Sequence, residues 1–406
     1  MCTFLIIALV CAVASAAPAA AQGAAAPATR AELLRQERER KSRQVEPYEQ
    51  NTLEWAMHLG EERIVPLLRR DGLYARAGSL TTGSGFAYGG GFRDRALLDG
   101  RGFFDAWAAG SLKKYWTIDA QAGYPFARGD RVLALGRFRT FRYPAEEFFG
   151  IGPSSLRADQ VAYALDGVVG GAQIRVQPTK PFSIGAGVEY TQWTVGAGAS
   201  DTLRSIEHVF DPATAPGLLR EHAFTRVLGH FTYDSRQPLN ARKGGYYRLD
   251  VSRFHDRRGD SQTFTRADVD LRQYVSVLAE RRVFAARLRV STSDANELEQ
   301  IPFFLLPSLG GNDTLRGFRA HRFRGAHALL LQGEYRFEIW SALEAALFID
   351  AGKVTDRRRA LDFRDLERDY GFGVRFNTDN GVIARVDAAF GSRDGKHLHV
   401  VFGGIF

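Results

Sequence analysis

Between residues 78 and 406 the chain is written in segments of about ten residues in which apolar and polar side chains alternate. Residues 267–277 are a clear case. Ala267, Val269, Leu271, Val275 and Val277 fall on one face, and Asp268, Asp270, Arg272, Tyr274 and Ser276 on the other. Residues 381–390 repeat the arrangement, with Val382, Ala384, Val386, Ala388 and Phe390 opposed to Arg385 and Asp387. A period of two is that of a β-strand. One such strand would suit a half-buried place in any soluble sheet. A long series with charge on one face, dense glycine and aromatics, and no helical partners predicts a transmembrane β-barrel with a charged lumen. A soluble β-sandwich or propeller is the alternative, and no blade repeat supports the propeller.

Fifteen strands can be marked, centred on Phe86, Ala108, Ala120, Leu135, Val168, Val188, Gly229, Leu249, Leu271, Ala286, Leu331, Ala346, Gly373, Arg385 and Val401. Single-chain bacterial barrels close with an even number. An all-β, sixteen-stranded barrel is therefore expected, with the remaining strand near residues 74–82. Tight connections at 340–342 and 378–381 then fall at the periplasmic end. Long ones at 195–222, 296–325 and 353–368 fall outside, as such barrels require.

The N-terminal part is different. Residues 1–21 carry an apolar core at 4–17 followed by Ala19, Ala20 and Ala21, the pattern of a cleaved signal peptide, although the first three residues lack its positive charge. Residues 22–72 read as a flexible lead and a helical segment. A charged helix over 30–44 is interrupted at Pro47. A second helix starts at Asn51 or Thr52 and carries Leu53, Ala56, Met57, Ile64, Leu67 and Leu68. It could pack on the neighbouring domain, plug the lumen or lie at the periplasmic membrane surface. The barrel would occupy 73–406.

Composition narrows the chemistry. Both cysteines, Cys2 and Cys11, lie in the leader, so an exported chain has no disulfide, thiolate metal site or cysteine nucleophile. The net charge is +8. For an exported chain this points to outer-membrane lipids and lipopolysaccharide rather than to nucleic acid. Gly83-Ser84-Gly85 and Gly89-Gly90-Gly91 mimic a dinucleotide loop, but no βαβ unit surrounds them. Arg128-Gly129-Asp130 reads as a turn. His397 and His399 share a face, yet two ligands are too few for a metal. No nucleophile–base or HExxH arrangement has a supporting context. The expectation is no enzyme, no cofactor and no metal.

One loop stands apart. Residues 309–325, LGGNDTLRGFRAHRFRG, are glycine-rich and basic and lie between two alternating segments. In the strand that follows, Gln332, Glu334, Arg336 and Glu338 share the inward phase, and in the next Glu344 and Asp350 do. An arginine carried inward by the loop would meet carboxylates that a guanidinium can grip bidentately. Arg316 is the candidate. Gly317 would let the backbone turn closely, and Phe318 could wedge against the wall. The bland alternative is that Arg316, Arg319, Arg322 and Arg324 are all solvated.

Leu315-Arg316-Gly317-Phe318, preceded by Gly310-Gly311-Asn312, resembles the VRGF/VRGY motif of the BamA/TamA superfamily of outer-membrane barrels. Phe348-Ile349-Asp350-Ala351-Gly352 is similar to its FxDxG motif, whose aspartate pairs with the motif arginine. Gly333-Glu334-Tyr335-Arg336-Phe337 resembles the strand whose glutamate also reaches it. Asp234-Ser235-Arg236 through Gly244 resembles a family turn, and Phe148-Phe149-Gly150-Ile151-Gly152 is a further familiar segment. Phe406 fits the aromatic that closes the C-terminal assembly signal. The family contains assembly factors, two-partner-secretion transporters and patatin-fused barrels. The resemblance implies protein or lipid insertion or translocation at the bacterial outer membrane, with unfolded outer-membrane or secreted proteins as clients. A passive diffusion channel or a structural barrel is the other reading. Residues 22–78 are too few for the family's POTRA domain, so a short member is expected.

Overall fold

The computed structural model describes residues 71–402, apart from 82, 127–130, 237–240, 260, 279–280, 297–299, 341–342 and 379–380. The readings of residues 1–70, of Arg128-Gly129-Asp130 and of Phe406 lie outside these described residues.

Sixteen strands form one antiparallel sheet, nearly closed into a barrel. In chain order they are β1 (Gly72–Gly78), β2 (Ala87–Ala96), β3 (Gly102–Ser111), β4 (Trp116–Pro125), β5 (Val132–Phe148), β6 (Val161–Thr179), β7 (Phe182–Ala197), β8 (Glu221–Asp234), β9 (Gly244–Asp256), β10 (Phe264–Val277) and β11 (Arg282–Ala295). After the long loop come β14 (His327–Trp340), β15 (Leu343–Thr355), β16 (Glu367–Thr378), β17 (Gly381–Ser392) and β18 (Gly395–Phe402). Two short strands inside the loop, β12 (Ser308–Leu309) and β13 (Phe323–Arg324), pair only with each other. Each of the fifteen marked centres falls in its own barrel strand, except that Phe86 sits one residue ahead of β2. The sixteenth strand is β1, and it spans much of the interval where it was expected.

Period-two alternation places large apolar side chains on the outside. Val227 and Phe231 of β8, Leu249 and Val251 of β9, Leu271 and Val275 of β10, and Leu347 and Ile349 of β15 are all exposed on the isolated chain. Such a continuous apolar belt is what a lipid-facing wall needs. No helix among the described residues is long and apolar enough to cross a membrane. Gly89 and Gly91 belong to β2, and a Cβ on Gly91 would come within 2.5 Å of the Tyr74 ring. These glycines serve close strand packing rather than a nucleotide.

Two features of the wall matter for function. The strands are uneven: β6 has 19 residues, β5 has 17 and β1 has 7. The ladders run consecutively from β1 to β18, and among the described residues none joins β18 back to β1. At the long-loop end the connections build their own apolar cores. Phe148, Tyr163, Ile206, Leu218 and Phe303 form one of them, and Leu309, Leu315, Phe318, Phe323, Leu330 and Val354 form another beneath the loop.

Candidate functional site: the lumenal loop clamp

The loop between β11 and β14 is wound on itself before it meets the wall. Gly310 and Gly311 take left-handed φ values of 116° and 97°, a region open to glycine. The Gly311 N–H donates to the carbonyls of Leu315 and Phe318 at 3.2 and 3.0 Å, and the Gly310 N–H to Thr314 Oγ1 at 2.8 Å. Leu315 and Phe318 are wholly buried in the apolar core against Leu330 and Val354. This seat presents Arg316 to the lumen.

Arg316 is 3% exposed. Its Nε and Nη2 donate to the two oxygens of Asp350, both at 2.8 Å, and its backbone N–H reaches Asp350 Oδ2 at 3.2 Å. Nη1 donates to Glu334 Oε2 at 3.0 Å. The guanidinium carbon lies 3.4 Å above the centre of the Phe348 ring, a cation–π contact. Burial alone would lower the Arg316 pKa, but the hydrogen bonds it donates to Asp350 and the charge of the nearby carboxylates outweigh it and hold the group above its usual value. Asp350 is itself fully buried and also accepts from Gln332 Nε2 at 3.1 Å.

Gly317 does not take a left-handed turn. It is required by proximity, since a Cβ there would lie 2.4 Å from Cβ of Asp369. Phe318 meets the wall within the apolar core under the loop, which includes Leu330 of β14 and Val354 of β15. The remaining arginines are not uniformly solvated. Arg322 is 2% exposed, with Nε 3.1 Å from Asp394 and its Nη atoms donating to Ser155 Oγ and O at 2.8 Å. Arg324 is also buried and donates to the Tyr163 hydroxyl at 3.1 Å. Only Arg319 is merely half-buried.

Several further partners carry no sequence signal that singles them out. Arg375 of β16 donates to Glu334 at 2.7 Å and to Asp387 at 3.2 Å, and Arg336 donates to Glu334 at 2.6 Å. Asp369 lies directly across the ladder from Asp350. The Arg316 carbonyl is 2.7 Å from His399 Nε2 of β18, and Ser392 Oγ donates to the Gly317 carbonyl. An inward phase is legible for residues such as Arg385, Asp387 and His399, but which of them meet depends on barrel closure. The Phe148–Gly152 segment buttresses the loop: Phe149 lies under Arg322, and the Gly152 N–H donates to the Arg324 carbonyl at 2.7 Å. At the opposite, short-turn end, Arg236 folds back on Asp234 at 2.7 Å, and Gly244 has φ 99°.

The Omp85 superfamily domain matches residues 114–402, and the chain belongs to that superfamily. No curated protein matches it significantly. Among solved structures it is similar to BamA from Haemophilus ducreyi lacking POTRA domains 1–3. That likeness has 12% identity and a TM-score of 0.61, over 87% of this chain and 78% of that one. It is also similar to CdiB from Escherichia coli, with 13% identity and a TM-score of 0.53, over 81% of this chain and 61% of that one. At these identities the likeness is one of fold.

Proposed function

We propose that this member of the Omp85 superfamily inserts or translocates client polypeptides, or lipids, at the outer membrane, and that the Arg316 clamp holds the barrel in a competent form. Membership of the superfamily implies the outer-membrane location. The short turns then face the periplasm and the long loops the outside.

The observation that carries the reading is where the clamp is anchored. Arg316 grips β14 and β15 through Glu334 and Asp350, while its own carbonyl and that of Gly317 engage His399 and Ser392 of the last hairpin. That hairpin ends in β18, the edge with no described ladder to β1. Open strand edges are templates for another strand. A loop that steadies one edge, with no ladder to β1 among the described residues, suits a barrel that opens there to clients. The edge is also thin. Seven residues of β1 rise about 23 Å. At a tilt of roughly 40° they span about 18 Å of a band about 25 Å tall.

Photo-crosslinkers placed in β1 and β18 in cells test the proposal. Capture of outer-membrane or secreted polypeptides at both edges, and not at mid-wall β10, is the expected result. Absence of polypeptide adducts, together with an unchanged outer-membrane protein profile on deletion, would overturn it.

A further inference from the structure

A cavity apart from the clamp opens on the inner wall at the short-turn end. It holds about 830 Å3 and is lined from the inner faces of β6, β7, β8 and β9. Arg175, Lys180, His230, Thr232, Arg236 and Arg248 line it. Two of its cations are already neutralised. Arg248 grips Asp250 with two bonds of 2.6 Å, and Arg236 holds Asp234 at 2.9 and 2.7 Å. Arg175 and Lys180 have no acidic partner among the described residues. Beneath them, His230 and Thr232 are each 8% exposed, and neither His230 Nδ1 nor Thr232 Oγ1 has a hydrogen-bond partner among the described residues. Buried polar atoms left unpaired are costly and call for an explanation.

We propose that this cavity is a binding site for an organic phosphate. A phosphate monoester carries about −1.5 to −2 charge near pH 7 and offers three acceptor oxygens. Arg175 and Lys180 supply the matching charge, Arg175 through a planar fork suited to phosphate. His230 and Thr232 supply neutral donors for the remaining oxygens. The volume falls within the roughly 300–1,000 Å3 of small-molecule sites and exceeds the needs of a bare ion, so a phosphate on a small polar body fits best. That body is either a free metabolite-sized phosphate or a lipid headgroup reaching the periplasmic rim.

Calorimetric titration of the full-length protein in non-ionic detergent tests the site, with glycerol 3-phosphate and inorganic phosphate as probes. Glycerol 3-phosphate should bind saturably. Binding should weaken at least tenfold in the Arg175→Ala/Lys180→Ala double variant and markedly in Thr232→Val, but not in Arg204→Ala, an exposed arginine remote from the cavity. Competition by inorganic phosphate would identify a free phosphate as the source. Saturable headgroup protection of Arg175 in phosphatidylglycerol nanodiscs, and not in phosphatidylcholine ones, would identify the lipid. Failure of both probes together with no protection in phosphatidylglycerol nanodiscs overturns the site, as does binding unchanged in the double variant.

Discussion

At the scale of single residues, one guanidinium carries most of the candidate site. Arg316 is enclosed by Asp350, Glu334 and the Phe348 ring. Removing one partner of a buried pair leaves the other charge uncompensated, at about 3–5 kcal/mol. Arg316→Ala is expected to lower the temperature of heat-modifiability and expose the loop to protease, and Asp350→Ala should do much the same. The double variant should lose far less than the sum of the two, because neither charge is then stranded. Wild-type behaviour of both single variants would refute the clamp. Gly317→Ala should loosen the loop without altering any charge, since the added Cβ must displace Asp369. His321 supplies a pH dependence. Its Nδ1 shares a hydrogen bond of 2.9 Å with Ser308 Oγ. Partial burial of the ring, and then the Arg324 charge, push its pKa below the usual value, although Glu146 stands 3.7 Å from its Nε2. A depressed histidine binds its proton less readily folded than unfolded. The loop should therefore lose stability as pH falls below about 6.5. Limited proteolysis across pH 7 to 5 should show this trend in wild type and a weaker one in His321→Gln.

At the scale of elements, a second arginine ties parts of the wall together. Arg322 joins the loop to Ser155, in the β5–β6 connection, and to Asp394, in the β17–β18 hairpin. Arg157 adds a bond of 2.8 Å to the Asp394 carbonyl. The last hairpin is thus held through loops as well as through its ladder with β16. Arg322→Ala should raise amide exchange in β18 and in residues 392–395 while leaving β10 and β11 protected. Equal exchange in wild type and variant would show that the tie is idle. Strand phase alone makes Asp350 and Glu334 legible in the sequence, because alternation decides which side a residue faces. The Arg322–Ser155–Asp394 contact is not legible there. Its members are 167 and 72 residues apart and sit in loops that carry no period.

At the scale of the whole molecule, uneven strands give a wall that is tallest at β5 to β7 and lowest at β1. The proposed activity requires that the seam, and not the lumen, be the main opening. Planar-bilayer recordings of the intact chain should accordingly show only small or infrequent currents, and Arg316→Ala should increase them. Steady large currents from the intact chain would favour the diffusion-channel reading. Comparison with a chain lacking residues 30–70 separates any contribution of that segment.

The sequence by itself determined the fold class, the strand count, the sidedness of the connections and the inward direction of Arg316's two main partners. All of these follow from a period of two and from the even number of strands that closure demands. Only the tertiary structure decided what the lumenal charges do. It set Arg375 and Arg336 on Glu334, Asp369 across from Asp350, and His399 on the Arg316 carbonyl. It also buried Arg322, which reads as one more basic loop residue. Alternation fixes the face of each side chain. The partner across the barrel is fixed by closure and by the path of a loop, and neither leaves a local pattern in the chain.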